Sequence, residues 1–367
     1  MKDAGLYNLI AIVYYRLGRF HESLLAAQAA EHLQPANPDA QINKAHALRA
    51  LGRRRETIAI YRRALKLQPT SIPAIFGMAD NYREIGEPRK ALDLYEKALE
   101  FDHRRADLWN NHALSLIDLK RYDEGEKSLR RALELWPKHV HALGNLAKLL
   151  AGLKRCNEAM ELAGRALELD TDYWPALHTK AHCLSRLGQP GLAAETYREI
   201  LKRRPSDIPA MARLGSLEVM LGELASAEVH LKTALKKGLK MPGIYADLGI
   251  LHVKQGRIRS GVLNSAVALL LNPAGAVAAF SYLNLGSVAY RAGYYRAAVG
   301  WCRLAVRTNS GMANAWNMLG AALANTGQLD AAERAFAEAV RIKPDVNMYR
   351  SNLEGLQVLR KHRRPAK

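Results

Sequence analysis

The sequence predicts an all-α solenoid of stacked helical pairs, and three observations predict it. Small residues recur at Ala11, Ala45, Ala79, Ala113, Ala147, Ala181, Gly215, Gly249, Gly286 and Gly320, each step being 34 residues except one that is longer by three. A turn residue follows each at a fixed offset, with glycine at Gly18, Gly52, Gly86, Gly188, Gly222, Gly256, Gly293 and Gly327 and lysine at Lys120 and Lys154 in the fourth and fifth periods. A second small column runs through Ala30, Ala64, Ala98, Ala132, Ala166, Ala234, Ala268, Ala305 and Ala339, broken by Ile200. A helix keeps a small residue at one place in every period when a neighbouring backbone packs there, so the chain reads as repeated units that stack on each other.

Each period then reads in order. A first helix carries the small eighth residue, the turn follows, and a second helix carries the later column between larger apolar residues at helical spacing, such as Tyr61, Leu65 and Leu67. Many periods close on proline, as at Pro35, Pro69, Pro137, Pro205, Pro273 and Pro344, where a helix has to stop. Three residues are added around 276–278, which predicts a local bend or a lengthened helix. Residues 347–361 form one more helical segment, with Glu354 where a small residue would sit; this suits a capping helix whose outer face meets water, and a basic tail follows at 362–367.

Composition narrows the function classes. The chain has 367 residues, 49% hydrophobic and 24% charged, with no apolar run near the length of a membrane span. No small-residue cleavage site follows the apolar stretch from Leu9 to Tyr15, and Cys156, Cys183 and Cys302 form no CxxC pair, so a cytoplasmic protein with packing cysteines is expected. No phosphate-cradling glycine loop, HExxH or GxSxG is present, so neither catalytic residues nor a cofactor are expected.

The period from Ala106 to His139 resembles the tetratricopeptide repeat (TPR), with Trp109 at the fourth place, Ala113 at the eighth, and the late Ala132 and Pro137. The resemblance covers about ten repeats over residues 4–346 and implies a right-handed TPR superhelix. It also implies that first helices line the concave surface, so that the sixth position faces a ligand. That position reads Leu9, Asn43, Gly77, Asn111, Asn145, Thr179, Arg213, Asp247, Asn284 and Met318, with Asn352 in the capping helix. A carboxamide both donates and accepts, so a row of asparagines suits the peptide groups of an extended chain, as in the similar ladder of O-linked N-acetylglucosamine transferases. The plainer alternative is that these amides only satisfy nearby backbone. The second-position lysines that a carboxylate clamp requires are missing, which disfavours chaperone C-termini as partners.

Charge gives the second clue. The net charge is +19, and Arg53, Arg54, Arg55, Lys120, Arg121, Lys154 and Arg155 fall at or beside the turns, so they should line one basic edge. Such an edge attracts nucleic acid or an anionic surface as readily as an acidic protein, although the groove positions offer few stacking aromatics. His141, His178 and His182 have a spacing that lets imidazoles share a metal, but twelve histidines produce such sets by accident, and no metal is assigned. At the seventh position Lys44 and Lys180 are expected to snorkel toward the groove.

The leading expectation is a non-catalytic scaffold that holds an extended peptide or protein segment in its groove. One alternative is the substrate-recruiting TPR arm of a larger glycosyltransferase-type enzyme, motivated by the little chain that precedes the first repeat. Another is a basic-edge adaptor for nucleic acid or an anionic surface.

Overall fold

A computed structural model describes residues 3–363; side chains from 360 onward, and with them the basic tail expected at 362–367, lie outside the described residues. Every regular element among the described residues is a helix, and the helices gather into two compact units, Met1–Leu187 and Gly188–Lys367.

Unit 1 runs α1 (Ala4–Arg16), α2 (Phe20–Leu33), α3 (Pro38–Ala50), α4 (Arg54–Leu67), α5 (Ile72–Glu84), α6 (Pro88–Phe101), α7 (Ala106–Asp118), α8 (Tyr122–Leu135), α9 (Val140–Gly152), α10 (Cys156–Leu169) and α11 (Trp174–Arg186). Unit 2 opens with α12 (Pro190–Arg203), the second helix of the sixth repeat. It continues with α13 (Ile208–Leu221), α14 (Leu224–Lys236), α15 (Pro242–Lys254), α16 (Ile258–Leu271), α17 (Gly275–Arg291), α18 (Tyr295–Thr308), α19 (Ala313–Asn325), α20 (Leu329–Ile342) and α21 (Asn347–Arg363).

The boundaries follow from local chemistry. Glycine turns take positive φ, for example 73° at Gly18, where the Gly18 and Arg19 amides bond back to Tyr15 and Tyr14 and close α1. The residue before each period-closing proline is forced out of the helical region, as at Gln34 (φ −137°, ψ 82°) and Lys343 (φ −136°, ψ 83°). First helices restart on prolines at Pro38, Pro73, Pro175, Pro209 and Pro242, and on caps such as Asp207 Oδ1, which accepts from the Ala210 amide at 2.9 Å. The added residues 276–278 lie within α17, which has 17 residues where most helices have 13 or 14.

Within a unit, each second helix packs between its own first helix and the next one. First helices also touch one another, α1 on α3 and α3 on α5 in unit 1, and α13 on α15 and α15 on α17 in unit 2; second helices make no comparable contacts among the described residues. First helices therefore form the inner, more closely spaced wall of each unit. The small eighth residue lets each first helix lie close against its own second helix. A Cβ on Gly320 would lie 2.7 Å from the Phe336 ring and one on Gly215 2.7 Å from Leu231 Cγ, the side chain sixteen residues on in each case.

Candidate functional site: the inner wall of the first helices

The sixth-position asparagines do not stand as separate amides. Asn43 Nδ2 donates to Asn8 Oδ1 at 3.3 Å, Asn145 Nδ2 to Asn110 Oδ1 at 2.9 Å, and Asn352 Nδ2 to Asn317 Oδ1 at 2.8 Å. Each bond runs from a sixth position to the fifth position of the preceding repeat, 35 residues back. In unit 1 one of these bonds extends into a relay: Asn110 Nδ2 donates to Asn111 Oδ1 at 2.8 Å, and Asn111 Nδ2 to Asp80 Oδ1 at 3.4 Å. Asp80 also accepts from the Tyr95 hydroxyl at 2.6 Å and pairs with Arg49 at 3.3 Å. One carboxylate thus terminates a hydrogen-bond chain that crosses three first helices, α5, α7 and α9.

The other sixth positions have different partners. Thr179 is buried and gives its hydroxyl to the Pro175 carbonyl of its own helix at 2.8 Å. Asn284 is buried and donates to Ser265 Oγ at 2.7 Å, so its amide is turned to α16. Asp247 accepts from the Ser216 hydroxyl, and burial pushes its carboxyl up to about 6 against the pull of Ser216 and Arg213; Arg213 itself is exposed. Gly77 breaks the series because the Tyr61 hydroxyl fills the space, 2.2 Å from where a Cβ would stand.

A second row, one to two turns along the same wall, was not recognised in the sequence. Arg49 pairs with Glu84 at 3.1 Å and Arg83 with Asp118 at 2.9 Å, again 35 residues apart. Oppositely charged residues at the twelfth and thirteenth positions of adjacent repeats were the available signal. The wall is also hollowed in two places. A cavity of about 890 Å³ is lined by Leu6, Leu9, Ile12, Asn8 and Asn43, and one of about 360 Å³ by Arg83, Leu114, Asp118, Asn145 and Lys148.

The turn-side cations are mostly neutralised. Arg53, Arg121 and Arg155 each sit at the N-cap of a second helix and fork onto the glutamate three residues on, Glu56, Glu124 and Glu158, at 2.6 Å. The guanidinium holds each of these carboxyls below the usual glutamate range. Arg54 reaches Glu84 at 3.4 Å, while Arg55, Lys120 and Lys154 are exposed. Lys44, expected to snorkel, instead meets Glu31 of α2 at 2.6 Å.

Among the described residues no three His, Cys, Asp or Glu side chains converge as a metal set. His141 packs between His139 and Tyr173, 5.6 Å from the Tyr173 ring, while His178 and His182 lie half-buried on α11. The three cysteines are buried, and burial pushes the Cys302 thiol up to about 12. No helix among the described residues is long and apolar enough to cross a membrane.

Repeated helical pairs, a small-residue seam and a polar inner wall define a helical-repeat solenoid of the kind typical of protein-interaction scaffolds. The chain belongs to the tetratricopeptide repeat family: models described as tetratricopeptide repeat match residues 8–72, 104–172, 175–207 and 313–346. Among solved structures it is similar to a tetratricopeptide repeat protein from Parabacteroides merdae, at 20% identity and TM-score 0.55 over 68% of this chain and 98% of that one. It is also similar to the Cut9–Hcn1 hetero-tetramer of the APC/C, at 12% identity and TM-score 0.55 over 96% of each chain. At these identities the likeness is one of fold. No curated protein sequence matches the chain significantly.

Proposed function

We propose that the chain is a non-catalytic scaffold that holds an extended protein segment against the inner wall of its first helices. The observation that carries this reading is the bonding of the asparagines. Tying one N–H of Asn43, Asn145 and Asn352 to the preceding repeat fixes each amide plane, while a carboxamide has further donor and acceptor capacity. Amides held this way lose little side-chain freedom when a peptide group arrives, and such pre-organisation favours binding. Asn43 and Asn145 line the two hollows, so a backbone running past them has room for its side chains. Each contact contributes about 0.5–1.5 kcal/mol, so affinity accumulates from many modest bonds and depends little on partner side chains.

The test is affinity capture with wild-type protein against the Asn111→Ala, Asn145→Ala double variant, with circular dichroism confirming that both are folded. Partners held by the amides are depleted about tenfold or more by the variant. An unchanged set of captured proteins removes the amide row as the binding element.

A further inference from the structure

A second surface, on the opposite side of the helical pairs in unit 2, has chemistry that the inner wall does not use. Helices α18 and α20 stand on either side of α19 and enclose a trough of about 780 Å³. Its floor is apolar, formed by Trp316, Leu319 and Leu323 of α19. The trough stays open because the residues on its walls include Gly300 and Ala331. Arg303 and Arg307 stand one turn apart on the α18 wall, and Arg334 stands on the α20 wall. All three are exposed, and among the described residues none of the three guanidinium groups has an ion pair or hydrogen bond.

Elsewhere in the chain Arg53, Arg121, Arg155, Arg198 and Arg257 are paired with carboxylates. The one carboxylate that lines the trough, Glu338, is already engaged by Arg341 at 2.8 Å. An unpaired guanidinium presents a planar fork of donors that matches a carboxylate two bonds at a time, and three such forks frame an apolar channel here.

We infer that this trough docks an acidic amphipathic segment of a partner protein, its apolar side chains on the α19 floor and its carboxylates on Arg303, Arg307 and Arg334. Helix-in-groove recognition combines the same two elements, apolar anchors and flanking charge. A nucleic acid would satisfy the arginines but leave the floor wet. A bilayer surface would meet the rims and not the recessed floor.

A fluorescein-labelled synthetic helix of leucine and glutamate, with the leucines on one face, is titrated against the full chain and followed by anisotropy. Binding is expected to weaken about tenfold or more in the Arg303→Glu, Arg307→Glu variant and in Ala331→Trp, which fills the trough, and to persist in Lys97→Ala, at an exposed position of α6 outside both surfaces. A matching leucine and lysine helix is expected not to bind. The proposal is overturned if the glutamate peptide fails to bind wild type, or binds both trough variants as tightly as wild type. It is overturned equally if a uridine oligonucleotide binds more tightly than the peptide and loses that binding in the same variants.

Discussion

At the residue scale the repeat imposes two backbone demands that this chain meets unevenly. The turn inside each pair requires a left-handed residue, and Lys120 (φ 62°) and Lys154 (φ 67°) occupy it where other repeats carry glycine. A side chain in that region costs about 1–2 kcal/mol, partly offset by the extra unfolded-state freedom that glycine brings. Lys120→Gly should therefore raise stability by about 0.5–1 kcal/mol in urea denaturation. The eighth position is the converse case: Gly320→Ala sets a methyl against the buried Phe336 ring and should cost about 1–3 kcal/mol. Asp247 gives a pH signature. Its folded carboxyl titrates near 6 against an ordinary 3.8, so the folded state favours the neutral form, and that contribution is present below pH 3.8 and lost as pH rises through 6. Asp247→Asn, which keeps an acceptor for Ser216, should raise stability at pH 7 by up to about 3 kcal/mol and by much less at pH 4.

At the element scale the helices were legible because their signals are local. Positive-φ glycines, closing prolines and the two small columns each act within a few residues, and the boundaries at Gln34, Gly18 and Lys343 follow from them. The N-cap forks of Arg53, Arg121 and Arg155 were not read, although arginine followed three residues later by glutamate is visible in the sequence. Each of these cations is bonded to an acid at the start of its own second helix, a pairing that net charge alone does not show. The last helix, α21, packs on α20 with Tyr349 and Leu356 buried and Glu354 exposed. If α21 seals the end of unit 2, Leu356→Ala should destabilise by about 2–4 kcal/mol, whereas Glu354→Ala should change stability by less than about 0.5 kcal/mol, as chemical denaturation would show.

At the scale of the whole molecule, function rests on what successive repeats place side by side. The sequence revealed which positions share a wall, because a fixed period puts equivalent residues in register. It did not reveal how those side chains bond, since a sixth-position amide, a fifth-position amide 35 residues away and the Asp80 carboxylate meet only after stacking. Asn284 and Thr179 share a column with Asn145 but turn to Ser265 and to their own helix, the preceding fifth position being Ala246 and Gly144 where Asn145 meets Asn110. The central claim, that partners lie along the inner wall, is tested most directly by placing a photo-crosslinking residue at Leu114, between the two polar rows of unit 1, and separately at exposed Lys97 on the outer side of α6. Crosslinks to a partner segment from position 114 and none from position 97 are the predicted result. Crosslinks from position 97 with none from position 114 would contradict it.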